Sequence, residues 1–129
     1  MPVKIVSIGD DLFFWSQIHD AARQAGRTAI RIADEAALNA AASDGEVGLV
    51  LADLAFRGVD SIAWAARWAQ ASSRPRLVGY ASHVDVDTHE RARAAGFDQV
   101  LPKSRFQREL IKIVGAADLA MPPDGTLQP

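Results

Sequence analysis

Five times along this chain, a short run of apolar and β-branched residues gives way to a longer stretch with helical periodicity. The short runs lie near 3–8 (VKIVSI), 28–32 (TAIRI), 47–52 (VGLVLA), 76–80 (RLVGY) and 98–101 (DQVL). The helical stretches lie near 11–25, 34–43, 59–71, 85–95 and 104–117. Strict alternation of this kind predicts an α/β fold, a parallel sheet covered by helices on both faces. A strand buried on both faces reads as unbroken apolar sequence, whereas an edge strand tolerates polar positions. The third run is the most apolar and belongs in the middle. The second carries Thr28 and Arg31 and the fifth carries Asp98 and Gln99, so these two belong at the edges. The order 2-1-3-4-5 meets these conditions and is one of the two common doubly wound orders.

With 129 residues the chain has room for one domain, expected over 1–118, followed by a flexible tail over 119–129 that is rich in Pro and Gly. Hydrophobic residues make up 49% and charged residues 23%, enough for a core that needs no staples. There is no cysteine, which excludes disulfides, thiolate metal sites and cysteine nucleophiles. The net charge of −2 lacks the basic footprint of a nucleic-acid binder. The opening apolar run meets Asp10 and Asp11 too soon to be a signal or a membrane span. A cytoplasmic protein with no membrane or nucleic-acid partner is the expectation.

Helix boundaries carry their own signals. Gly26 and Gly96 follow the first and fourth helical stretches, where a left-handed closing residue is wanted. Ser104 with Gln107 forms a capping-box pattern for the last helix, whose buried stripe would be Phe106, Leu110, Ile113 and Val114. In the third helix Ile62, Ala65, Ala66 and Ala69 mark the buried centre. Trp64 and Trp68 fall on its flank, either as core edge or as a contact surface. The fourth helix offers mainly Ala92 and Ala95 to the sheet and should be among the more mobile elements. His19, His83 and His89 have no metal-ligand spacing and are expected to be structural.

In an open α/β sheet, ligands bind beyond the carboxyl ends of the strands, where the strand order reverses. Strands 1 and 3 flank that point. Asp10 and Asp11 follow strand 1, Asp53 ends strand 3 and Lys103 follows strand 5, all on one rim. Like charges about 4 Å apart repel by on the order of 4 kcal/mol at an effective dielectric near 20. A hard divalent cation removes that repulsion, and Mg²⁺ is usually held by one or two carboxylates plus phosphate oxygens. A carboxylate, Mg²⁺ and a lysine together support phosphoryl transfer to the carboxylate. Asp53 would be the nucleophile and Asp10 a metal ligand, the plainer role for Asp10 being the N-cap of the first helix.

The segments VKIVSIGDDLFF, GLVLADLAFRGVDS and AGFDQVLPKSRF resemble the signature regions of response-regulator receiver domains, over roughly residues 3 to 117. The resemblance implies a flavodoxin-like receiver fold, Asp53 as phosphoacceptor, Lys103 as its cationic partner and Ser82 as the pocket hydroxyl. It also implies Mg²⁺ held by Asp10, Asp53 and the backbone carbonyl of Ala55, with Asp11 as a substitute ligand if the loop shifts. The partners it implies are a histidine kinase or phosphotransfer protein and a target protein, with homodimerisation left open. The chain would be a stand-alone signalling module and not an enzyme.

Several positions depart from that pattern. Gly9 stands where the first of two acids is usual, which should weaken Mg²⁺ binding. Ungapped spacing from Lys103 puts Ala81, not Ser82, at the hydroxyl position. Val100 holds the place of the strand-5 aromatic, Arg57 that of a loop proline and Ser104 that of the proline after the lysine. These departures support an alternative, a pseudo-receiver that binds proteins without being phosphorylated. A flavodoxin-like cofactor binder is disfavoured, since Gly9-Asp10-Asp11-Leu12 would repel a phosphate and no glycine-rich phosphate loop is present.

Overall fold

The structure, a computed structural model, describes residues 4–43, 45–68 and 74–116. The expected tail, the start of the first apolar run and the far ends of the third and last helical stretches lie outside them, as does Ala69. Five strands, β1 (Lys4–Ile8), β2 (Thr28–Ile32), β3 (Val47–Asp53), β4 (Arg76–Ala81) and β5 (Gln99–Pro102), form one sheet in the order β2-β1-β3-β4-β5. Every pairing is parallel. Among the described residues the helices are α1 (Leu12–Gln24), α2 (Glu35–Ala42), α3 (Ser61–Trp68) and α4 (Val86–Ala95), each between two strands, and α5 (Lys103–Arg108) and α6 (Leu110–Gly115), which both follow β5. This is the expected doubly wound α/β fold. Gly26 (φ 72°) and Gly96 (φ 114°) take the left-handed conformation that ends their helices.

Strand side chains alternate between faces with a period of two. Along β3, Leu49 and Leu51 enter a core with Phe14 and Ile18 of α1, Phe106 of α5 and Leu110 and Ile113 of α6. Val50 and Ala52 enter the opposite core, with Leu38 of α2, Trp64 and Ala65 of α3 and Ala92 of α4. A fully buried leucine such as Leu49 or Leu51 stabilises by about 1.5–3 kcal/mol. The alternation fixes the side on which the next residue, Asp53, emerges: the face of α1 and α5.

Three local expectations are corrected. The last helical stretch is divided at Glu109 (φ −100°, ψ 8°), whose open ψ interrupts the turn. The hydrogen bonds Glu109 N–H to Arg105 C=O (2.9 Å) and Ile113 N–H to Glu109 C=O (3.0 Å) carry the axis across it, so the buried stripe survives intact. The Ser104–Gln107 capping box does not form. The chain enters α5 one residue early, Pro102 is the N-cap with no side-chain cap, and Ser104 lies exposed within the first turn. In α3 the buried centre is Ser61, Trp64 and Ala65, while Ala66 faces solvent. Trp64 is deep core, with its indole N–H donating to Asn39 Oδ1 at 3.0 Å, and half-buried Trp68 packs beside it.

The anchor of α4 also differs. Ala92 is buried, but its companion is His89 and not Ala95, which is only half-buried. His89 Nε2 lies 3.1 Å from the Ser82 carbonyl, and Asp85 N–H donates to the same oxygen at 3.0 Å. A polar ring that satisfies a loop carbonyl can be buried where an apolar scan of the helix finds little to bury.

At the lower end of β4, Asp98 holds a knot. Its carboxylate accepts from both terminal nitrogens of Arg74 (2.9 Å each) and from Leu77 N–H (2.8 Å). Burial pushes the Asp98 carboxyl upward, but the Arg74 hydrogen bond, the Leu77 N–H and nearby Arg charges outweigh it and hold it below the ordinary range. A lowered folded-state value favours folding above the unfolded carboxylate range, and the contribution is lost as pH falls through it. Asp98→Asn should therefore lower stability by about 1.5–3 kcal/mol at neutral pH. In urea titrations the gap to wild type should narrow below about pH 4.

Candidate functional site

The carboxyl ends of β1 and β3 part at the reversal point, and the loops that leave them carry the predicted acids. Asp53, the last residue of β3, is only 7% exposed. Its Oδ1 accepts from Ala55 N–H at 3.0 Å, and its carbonyl accepts from Phe56 N–H at 3.1 Å, which turns the chain over the strand end. Burial pushes the Asp53 carboxyl up. The Ala55 N–H and the Lys103 charge pull it down, the charges of Asp10 and Asp11 push it up again, and the net result is above the ordinary value. Lys103, half-buried at the first residue of α5, thus acts on Asp53 through space and without a hydrogen bond.

The two acids after β1 divide their roles. Asp11, not Asp10, is the N-cap of α1: its Oδ1 accepts from Phe13 N–H (2.9 Å) and Phe14 N–H (3.2 Å). Asp10 remains exposed on the rim. Ser82 is exposed, and its hydroxyl accepts from Val84 N–H at 3.4 Å within its own turn. No hydrogen bond among the described residues joins it to Asp53. Ala81 is buried at the end of β4.

Gly9 is buried, with φ at +156°, a conformation L side chains rarely adopt. A β-carbon there would lie 3.3 Å from Asp53 Cβ and 3.9 Å from both Asp53 Oδ2 and the Tyr80 hydroxyl. The missing first acid therefore leaves no hole, because the backbone itself approaches Asp53. Sequence reasoning passed over Tyr80. Its register pairing with Asp53 on β4 places both side chains on one face, and an aromatic beside the expected hydroxyl position was the available signal. Its ring stacks on Phe106 (4.2 Å, 19°) and meets the edge of Phe14 (5.4 Å, 61°).

For a metal, the donor chemistry is reduced. No group of three or more His, Asp or Glu able to hold an ion is present among the described residues. Asp10 and Asp53 lie close enough for the charge of one to act on the other, and two carboxylates suit a Mg²⁺ that keeps several waters better than an all-protein cage.

No protein-family model matches the chain, and no curated protein matches it. Solved structures do. A response-regulator receiver domain from Bermanella marisrubri superposes with a TM-score of 0.74 at 15% identity, covering 88% of this chain and 96% of that one. One from Rhodospirillum rubrum gives 0.71 at 22% identity, covering 95% and 99%. Full-length FixJ from B. japonicum gives 0.70 at 21% identity, covering 91% of this chain and 60% of FixJ. The chain has the receiver fold.

The site's electrostatics make two stability predictions. A raised folded-state carboxyl means that ionised Asp53 opposes folding at neutral pH, and the opposition is relieved as pH falls through its folded value. Asp53→Asn keeps an oxygen for Ala55 N–H and should stabilise the protein by about 1 kcal/mol at pH 7, read as a higher urea midpoint. Gly9→Ala should lose about 1–3 kcal/mol in the same titration, from its backbone conformation and its crowding of Asp53.

Proposed function

We propose that this chain is a stand-alone receiver of a phosphorelay, taking a phosphoryl group on Asp53 from a histidine kinase or phosphotransfer protein. The observation that carries this reading is a buried carboxylate at the switch point of a receiver fold, with a lysine charge acting on it and one oxygen without a hydrogen bond among the described residues. Ala55 N–H holds Oδ1 and orients the group. Oδ2 is then the oxygen that attacks phosphorus, while the P–N bond of a partner's phosphohistidine breaks and its electron pair returns to the imidazole. Lys103 neutralises charge on the phosphoryl oxygens. Asp10, Asp53 and the Ala55 carbonyl would hold Mg²⁺, which when bound would further neutralise those oxygens. The module passes its signal on by protein contact, in the cytoplasm, and acts as a phosphoacceptor and not as an enzyme.

Gly9 at the position of an acid and the capping duty of Asp11 favour a second reading. In it the chain is a pseudo-receiver, a protein-interaction module that is never phosphorylated.

Incubation with acetyl phosphate and MgCl₂ separates the two. The first reading expects an intact-mass gain of one phosphoryl group in wild type, none in Asp53→Asn, and about 10- to 100-fold slower loading in Lys103→Ala. A wild type that stays unmodified under donor excess selects the pseudo-receiver.

A further inference from the structure

We infer that Tyr80 is a ligand-binding group of the Asp53 pocket, its phenolic O–H donating a hydrogen bond to a tetrahedral oxyanion carried on Asp53 beside Gly9. The inference rests on Asp53 as the phosphoacceptor.

Tyr80 is only 2% exposed, and its ring is clamped between β4 and the rings of Phe106 and Phe14. A ring so held cannot swing, so its oxygen has a fixed position. That position is 3.9 Å from where a Gly9 β-carbon would be, the same distance as Asp53 Oδ2 from that point. The hydroxyl and the second carboxylate oxygen therefore both lie against the same point beside the Gly9 backbone. Buried phenols ordinarily find a partner. This one has no hydrogen bond with any described residue, yet it is not among the side-chain atoms sealed from solvent without a partner, such as Ser61 Oγ and Gln17 Oε1. Its hydroxyl lies close enough to Asp53 for the carboxylate charge to act on it, and it has no acceptor among the described residues.

The protonation state suits the role. Burial, then the charges of Asp53 and Asp11, push the phenol well above its ordinary range, so it keeps its proton at any physiological pH. A neutral phenol can donate, whereas a phosphoryl group has only acceptor oxygens. Where a second acid would repel an incoming phosphate unless a cation intervened, position 9 offers no charge and Tyr80 adds a donor. With acetyl phosphate, Asp53 Oδ2 forms the new P–O bond as the P–O bond to acetate breaks, acetate leaves with the electron pair, and Tyr80 retains its proton throughout.

The test uses beryllium fluoride with MgCl₂ as a non-covalent phosphoryl analogue. Tyr80→Phe keeps the aromatic packing and removes only the hydroxyl. It should bind the analogue about tenfold more weakly, the usual effect of losing a hydrogen bond to a charged group, while its thermal unfolding stays near wild type. Tyr80 is the chain's single tyrosine, so its ¹³Cζ resonance in wild type is an independent readout. It should shift on addition of the analogue and stay still in Asp53→Asn. An unmoved ¹³Cζ resonance in wild type that does bind the analogue, or equal affinity in a folded Tyr80→Phe, overturns the role of Tyr80 alone. A wild type that neither binds the analogue nor gains mass from acetyl phosphate overturns the phosphoacceptor reading along with it.

Discussion

Withdrawal of the Asp53 carboxylate from water is the constraint around which the rim of this molecule is organised. The carboxylate emerges from β3, the strand most deeply buried, and continues the row of Leu49 and Leu51 that lines one core. Such a group is tolerated only with compensation. Ala55 N–H and the charge of Lys103 supply part of it, and Asp10 and Asp11 work against it. The balance leaves a group whose ionised form the fold itself opposes.

How much of this was legible depended on the length scale of the signal. Strand positions and sheet order were open to inspection, because burial on two faces demands unbroken apolar runs and edge exposure permits Thr28, Arg31, Asp98 and Gln99. The placement of Asp10, Asp53 and Lys103 on one rim followed from topology alone. Choices decided by a single hydrogen bond were not legible. Asp10 and Asp11 are chemically identical neighbours, and only the approach angle of α1 selects Asp11 as its cap. Ser104 and Gln107 satisfy a capping pattern, but the turn out of β5 starts the helix at Lys103 before it can be used.

Residues with a dual character were the hardest to place. Trp64 looked like a flank because Ile62, Ala65, Ala66 and Ala69 marked the centre beside it, yet it can be buried because its indole N–H meets Asn39 on another helix. His89 looked isolated because the carbonyl it meets belongs to the loop before its own helix. Tyr80 is apolar enough to sit in a strand and polar enough to matter at its end. In each case the apolar body obeys the hydrophobic pattern while the polar tip obeys a tertiary contact that has no sequence period.

The close approach of Gly9 to Asp53 also shapes which relatives of this protein can arise by small steps. An acid at position 9 would have to adopt a backbone angle that L side chains rarely take, crowd the Asp53 Cβ and tolerate a new negative charge beside a carboxylate already opposed by burial. A substitution at position 9 is thus coupled to the residue at position 53, because residues in contact do not act independently.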